Sequence, residues 1–296
     1  MKKVLLLGGS GFIGRNLKEY FQLKRTDIHL ETPTRQELDL LDEQSVKRYL
    51  KTGHFDVVIH AAICNLTKEC PVCHMSELEQ DLRMYVNLEK YHQEYGKLLY
   101  FGSGAEYDKS CDIFSVTEDE FPNGVPLNQY GLAKYLIGKN IENSKNIYNL
   151  RIFGLFGKYE NWKTTFISGA CCKVIKNLPV TIRQNVYFDY LYIDDFCNIV
   201  GWFTYHTPLH HSYNIVSGKR IDLISIAHMI KEIAQSDVPV YVCKPGLAKE
   251  YTASNGRLLE EIPDMRYMEM SAAVKELLKY YQTNIKEIDL YSLLYF

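Results

Sequence analysis

The chain has 296 residues, enough for one large domain or two closely packed ones around a substantial core. Its 34 basic and 36 acidic residues leave a formal net charge of -2, so no whole-molecule field draws in nucleic acid or an anionic membrane, and any anionic ligand must be gripped locally. The apolar run at residues 4–7 stops at Gly8-Gly9-Ser10, too short for a signal core, and nothing approaches the roughly 18–20 apolar residues of a membrane helix; the expected compartment is the cytoplasm, with the eight cysteines as thiols.

In chain order, residues 4–7, 28–30, 57–59 and 98–101 read as short buried strands. Between them, 15–22, 43–51 and 77–95 carry apolar residues at three- and four-residue spacing and read as helices. Residues 129–142 read as a further helix and 147–152 as the strand that follows it. This alternation predicts right-handed crossovers and a doubly wound parallel α/β sheet of the Rossmann kind. Past Gly157 the pattern loosens, with strands expected at 179–182 and 238–242 and helices at 221–233 and 272–281. The expected division is a cofactor domain over 1–157, with roughly 185–215 returning to it, and a smaller interleaved α/β substrate domain over 158–184 and 216–296. No low-complexity linker or internal repeat separates them.

Gly8-Gly9-Ser10-Gly11-Phe12-Ile13-Gly14 follows the first strand and opens the first helix. Glycines at 8, 11 and 14 permit a tight turn, close approach of a pyrophosphate and close helix–strand packing, while free N–H groups at the helix start face the phosphates. The second strand ends in Thr32-Pro33-Thr34-Arg35, and Arg15 follows the last glycine. Guanidiniums at that corner suit a 2′-phosphate, which favours NADP over NAD; the alternative makes both arginines solvated and Glu31 the ribose ligand. Asp39-Leu40 is expected to meet the adenine, and the small Ala61 and Ala62 leave room for the dinucleotide.

Tyr130 and Lys134 stand four residues apart on a helical segment and share a face. An ammonium beside a phenol is expected to lower its pKa toward working pH and make Tyr130 a general acid or base. Ser103 lies just past the fourth strand, at the carboxyl edge where open α/β sheets bind ligands, and its hydroxyl can orient the reacting oxygen.

These residues resemble a known family, the extended short-chain dehydrogenase/reductases: NAD(P)-dependent sugar-nucleotide epimerases, dehydratases and reductases. The resemblance covers nearly the whole chain. It is carried by the glycine motif, Asp39-Leu40, His60-Ala61-Ala62, residues 101–107, Tyr130 to Lys134, Leu150-Arg151-Ile152-Phe153, residues 188–195 and Tyr213-Asn214-Ile215. Residues 34–42 look like the GDP-fucose synthase branch and its NADPH-using relatives. The resemblance implies a Ser103–Tyr130–Lys134 triad, with Lys134 also bonding the nicotinamide ribose, Phe153 at the cofactor, and Ser103 and Glu106 at the substrate. It also implies pairing of two copies through helices like 77–95 and 129–142.

Departures from the family pattern narrow the reaction. The dehydratases carry an Asp-Glu pair after the catalytic Ser/Thr, where this chain has Gly104 and Ala105, which move no proton. Ala105 also replaces the cysteine that assists epimerisation in GDP-fucose synthases. The usual Asn of the Arg-x-x-Asn stretch is Gly154, and the usual pyrophosphate-binding Arg is Phe188, so diphosphate contacts fall to Arg183 or Arg257. The expected function is NADPH-dependent reduction of a keto group, such as one at C4, on a nucleotide-diphosphate (deoxy)sugar. A 4-epimerase using the same triad and a non-catalytic dinucleotide sensor are the alternatives.

Cys70-Pro71-Val72-Cys73-His74 spells a haem-attachment motif, but no export signal accompanies it. A zinc site from Cys64, Cys70, Cys73 and His74 would lack a second Cys-x-x-Cys and force adjacent ligands into one tetrahedron, so no metal is expected. Cys171-Cys172 reads as helical core, and His210-His211 as a turn before a strand.

Overall fold

Every second side chain of the first strand enters a different core, and this fixes the layering of the fold. The computed structural model describes residues 1–63 and 75–295. The first half runs β1 (Lys2–Leu7), α1 (Phe12–Lys24), β2 (Ile28–Glu31), α2 (Glu43–Gly53), β3 (Phe55–His60), α3 (Glu77–Glu89) and β4 (Tyr95–Ser103). Then come β5 (Ile113–Val116), α4 (Gln129–Ile141), β6 (Ile147–Ile152) and β7 (Gly154–Phe156). The remainder is α5 (Phe166–Ile175), β8 (Val180–Asn185), β9 (Tyr187–Tyr192), α6 (Ile193–Tyr205), β10 (Ser212–Ile215), β11 (Arg220–Asp222) and α7 (Leu223–Ile233). It closes with β12 (Val240–Leu247), β13 (Tyr251–Ala253), α8 (Gly256–Glu261), α9 (Met270–Thr283) and α10 (Leu290–Tyr295).

The main sheet is six-stranded and parallel, in the order β10-β6-β4-β3-β1-β2. Val4 and Leu6 of β1 join the core that contains Leu17 and Phe21 of α1 and Phe196 of α6. Leu5 and Leu7 join the opposite core with Val46 of α2, Tyr85 of α3 and Ile137 of α4. Burial on both faces is what a parallel sheet demands of its strands. Strand order reverses between β1 and β3, and their carboxyl ends open the crevice where ligands of such sheets bind.

A second sheet, β11-β9-β13-β5 with β7 on β9, and the parallel pair β12-β8 make up the rest. Cys171 and Cys172 are buried in α5, and His210-His211 immediately precedes β10, both as expected. No helix of the described residues is long and apolar enough to cross a membrane.

The helix expected over 77–95 stops at Glu89, because Tyr95 already pairs with Phe55 as β4 begins. Gly96 lets the Asp56 carbonyl approach to where a Cβ would stand only 2.5 Å away, so this end of β4 is pulled into the sheet. Ile221 and Asp222, expected as the start of a helix, instead lie in a strand antiparallel to β9, and the Asp222 carboxylate then caps α7 through Ile224 and Ser225.

Candidate active site

The crevice is built on close backbone approaches. Gly8 has φ +83°, and a Cβ there would stand 2.6 Å from the Ala62 nitrogen, so the β1 turn and the residues after β3 are in contact. A Cβ on Gly14 would fall 2.1 Å from the Gly8 carbonyl oxygen, which is why α1 lies tight on the turn. Gly11 caps α1 without a side-chain bond, and no acidic residue occupies the first turn. The amides of Phe12, Ile13 and Gly14 therefore have no intrahelical partner, and the positive end of the helix dipole is unneutralised. This cradle fits a dinucleotide pyrophosphate. Ser10 is exposed on the same turn.

The loop after β2 runs beside this cradle, since a Cβ on Gly9 would lie 3.2 Å from Thr32 Cβ. Arg35 is exposed, with Asp39 3.8 Å away, and Arg15 stacks on Tyr159 at 3.6 Å. Glu31 is occupied: one oxygen meets Lys3 at 2.9 Å and His29 at 3.5 Å, and the other accepts from Tyr49 at 3.2 Å. Asp39 accepts from the Leu41 amide, while Leu40 is packed into the core beside Leu38 and Val46. Ala61 and Ala62 are partly exposed at the rim.

Ser103 ends β4 and caps a 3-10 turn over residues 104–106. Its hydroxyl accepts from the Ala105 amide at 3.1 Å, and its own amide donates to Glu106 at 3.0 Å. Glu106 has no exposed surface, and its carboxylate is engaged by Arg151 at 2.6 Å and Asn149 at 2.9 Å. It therefore braces the Ser103 turn from below and has no surface to offer a substrate. Burial opposes the Arg151 charge, but Glu106 outweighs it and the guanidinium pKa rises. Helix α4 presses on this turn through Gly131 and Gly138, where a Cβ would meet the Ala105 carbonyl at 2.8 Å and a Glu106 oxygen at 2.6 Å.

That contact brings Tyr130 beside Ser103 and Lys134 beneath the end of β4. Burial pushes the Tyr130 phenol up to about 12, although the nearby Ser103 hydroxyl works the other way. This corrects the expectation that Lys134 would lower it. The Lys134 ammonium, 5.7 Å from the Tyr130 ring centre, is spent on the Phe101 carbonyl at 3.0 Å and the Tyr100 hydroxyl at 2.9 Å. Burial pulls the pKa of Lys134 down, countered by the Asp81, Glu106 and Glu77 carboxylates. Beneath it, His60 packs edge-on against Tyr100, and burial holds its imidazole neutral with a pKa of about 3.

The proposed diphosphate ligands are apart from this cluster in character. Arg183 is exposed on β8, whereas Arg257 is tied to Asp119 at 2.7 Å and to the Ser212 carbonyl at 3.3 Å. Phe188 packs against Tyr190 and Tyr251, and Phe153 stacks on Tyr251 at 4.8 Å. Cys64, Cys70, Cys73 and His74 lie outside the described residues. Among the described residues no group of His, Cys, Asp and Glu could hold a metal ion. Sequence reasoning missed Tyr251, which reaches Ser103 from the second sheet, and no local motif marks it.

Residues 4–215 match the model of the NAD dependent epimerase/dehydratase family. GDP-L-colitose synthase of Yersinia pseudotuberculosis is 33% identical over 177 residues, 54% of this chain and 55% of that one, so the alignment spans about half of that relative's length. GDP-6-deoxy-D-talose 4-dehydrogenase of Aggregatibacter actinomycetemcomitans is 24% identical over 91% of this chain and 99% of its own. In fold, the chain resembles a GDP-L-fucose synthetase from Naegleria fowleri, with TM-score 0.82 and 17% identity over 97% of this chain and 94% of that one; an NADP-bound structure of that protein gives 0.80 over 97% and 95%.

Proposed function

The chain belongs to the NAD-dependent epimerase/dehydratase family, enzymes of the extended short-chain dehydrogenase/reductase type, and from that premise we propose that it is an NADPH-dependent reductase of a nucleotide-diphosphate keto-(deoxy)sugar. The observation that carries this reading is the placement of the Tyr130 phenol beside Ser103, with the Lys134 ammonium 5.7 Å from its ring centre. A phenol that stays protonated at neutral pH has a proton to give, and little phenolate is present to act as a base. Reduction of a ketone needs that donor; the opening oxidation of a 4-epimerase needs the base. Gly104 and Ala105 move no proton, so dehydration has no second acid here. The GDP-sugar names of the relatives support the substrate class.

The hydride for the carbonyl carbon is the chemistry that bound NADPH supplies. Tyr130 gives its proton to the carbonyl oxygen as negative charge develops there. Ser103 donates a second hydrogen bond to the same oxygen; one such prepositioned donor is worth roughly 100- to 1000-fold in rate. Lys134, buried and cationic, stabilises the tyrosinate left behind. Gly8 to Gly14 hold the pyrophosphate, Arg15 and Arg35 the 2′-phosphate, and Glu31, already engaged, leaves the ribose corner to the arginines. Phe153, Ala61, Ala62 and Asp39 line the remaining cofactor path, and Arg183, exposed on β8, takes the substrate diphosphate.

The test is NADPH oxidation with GDP-linked 4-keto-6-deoxysugars as first substrates. Tyr130→Phe should abolish turnover, by about 100- to 10,000-fold, with the dissociation constant for NADPH unchanged. Turnover of an unreduced sugar nucleotide with NAD retained through purification would replace the reductase by the epimerase. The apolar Val86 and Leu136 exposed on α3 and α4 support pairing of two copies there; a sedimentation run showing only monomer at micromolar concentration would remove that part.

A further inference from the structure

Two phenols flank Ser103. Tyr130 comes from the first turn of α4 and Tyr251 from β13 of the second sheet, and the Ser103 side chain acts on the phenol of each. Tyr251 is fixed where it stands. Its backbone pairs with Ile113 and Phe188, its ring stacks on Phe153 at 4.8 Å and meets Phe188 at 5.7 Å, and 8% of it is exposed. Its hydroxyl rests against Gly104, where a Cβ would come within 2.3 Å of the oxygen. Only glycine after Ser103 admits it. The Lys109 ammonium lies 4.0 Å from the centre of the Tyr251 ring.

A serine hydroxyl has one proton to give and two lone pairs to offer. The Ala105 amide takes one lone pair. With both phenols at its side, Ser103 can donate to only one of them, and the other can engage it only by donating into the remaining lone pair. Tyr130 is the phenol that gives up its proton and must afterwards be held as a tyrosinate, which only accepts. Tyr251 keeps its proton, because burial and the nearby Tyr130, Glu106 and Tyr107 all disfavour its anion. A cation over the ring face makes the Tyr251 O–H a better donor.

We propose that Tyr251 is a positioning residue for the reaction: its phenol donates to the Ser103 hydroxyl, which directs its one proton to the Tyr130 oxygen in the free enzyme and to the reacting oxygen once substrate is bound. This rests on the Ser103–Tyr130–Lys134 reading above. Only one proton is transferred, from Tyr130 to the carbonyl oxygen; Ser103 and Tyr251 keep theirs. Successive hydrogen bonds polarise one another, so loss of the first weakens the second. The arrangement also ties proton delivery to the second sheet, which supplies Tyr251 and lies on the side where the substrate domain was expected.

The experiment reads the Tyr130 phenol directly and needs no substrate. Difluorotyrosine is installed at position 130 of the full chain, its ring fluorines acidifying the phenol into an accessible range, and its titration is followed by ¹⁹F NMR. The other groups acting on this phenol are Glu77 and Asp81 of α3, Glu106, and Lys134 on its own helix, and all are left intact. Tyr251→Phe should raise the titration midpoint by about half a pH unit, a fraction of one hydrogen bond. Ser103→Ala should raise it at least as far, and the double variant no further than Ser103→Ala alone. Gly104→Ala, which displaces the Tyr251 hydroxyl without removing it, should reproduce Tyr251→Phe. NADPH affinity should remain unchanged in Tyr251→Phe, as a check on the fold. A shift with Ser103→Ala but none with Tyr251→Phe overturns the role of Tyr251 and leaves the triad standing. No shift with Ser103→Ala overturns the triad reading itself, and the role of Tyr251 with it.

Discussion

Glu106 shows how much of a site can rest on a side chain that touches no ligand. Replacing it by Gln keeps the shape but leaves the Arg151 charge buried with Glu142, at 3.3 Å, as its remaining carboxylate. Breaking a buried pair typically costs about 3–5 kcal/mol, and the residual partner places this one near the lower end; urea unfolding of Glu106→Gln measures it. Glu160 makes a second case. Burial lifts its carboxyl to about 7, against the hydrogen bonds of Ser168 and Thr165. The folded state thus binds the extra proton between the ordinary carboxylate range and pH 7, and stability falls as pH rises through that window. Glu160→Gln removes the effect, so it should match the wild type near pH 4 and exceed it at pH 8 by up to about 3 kcal/mol. Equal urea midpoints at pH 8 would dismiss the buried acid. His60 acts with the opposite sign: its neutral imidazole contributes stability above about pH 6.5 that is lost as pH falls toward 3.

At the scale of elements, the contact between α4 and the Ser103 turn sets the catalytic geometry. Gly138→Ala would gain about 1 kcal/mol of helix propensity on an isolated helix. Here the added methyl meets a Glu106 oxygen at 2.6 Å, and that carboxylate is clamped by Arg151, Asn149 and the Ser103 amide. Overpacking of about 1–3 kcal/mol should outweigh the gain, so Gly138→Ala should unfold earlier in urea and lose turnover while still binding NADPH. Greater stability in that variant would show the turn to be softer than these contacts imply. The first four strands and their helices were legible because apolar strand runs alternate there with amphipathic helices, and the glycine motif sits where one passes into the next. Strands β5, β7, β11 and β13 were not, since each has only three or four residues and its partners lie far away in sequence. Tyr251 belongs to one of these, so a residue beside Ser103 in space carried no signal in the chain. The Lys134 side chain was legible in place but not in direction: helical spacing put it beside Tyr130, and only the fold reveals Tyr100 and Phe101 as its partners.

Across the whole molecule, one core cluster joins what the sequence divides. Val4 and Leu6 of the first strand belong to the same contiguous cluster as Leu191 of β9, Ile226 of α7 and Leu277 of α9. A shared core of that kind should unfold in a single transition, and a ligand gripped only by the main sheet should then shift the stability of the entire chain. At 100 times its dissociation constant a ligand adds about 2.7 kcal/mol, worth about 5 °C in Tm for a chain of this size. NADPH should give such a shift, and NADH at the same concentration a smaller one, because Arg15 and Arg35 have a 2′-phosphate to meet only in NADPH. Arg35→Ala should weaken NADPH by about 10- to 100-fold, the size of one hydrogen bond to a charged group. Most of its Tm advantage should vanish while the NADH shift stays the same. Equal shifts from both nucleotides in the wild type would remove the 2′-phosphate corner and return Glu31 to consideration as the ribose ligand. Two transitions, with only the first moved by NADPH, would mean that the second sheet unfolds on its own and that Tyr251 is held at Ser103 by weaker coupling than the common core implies.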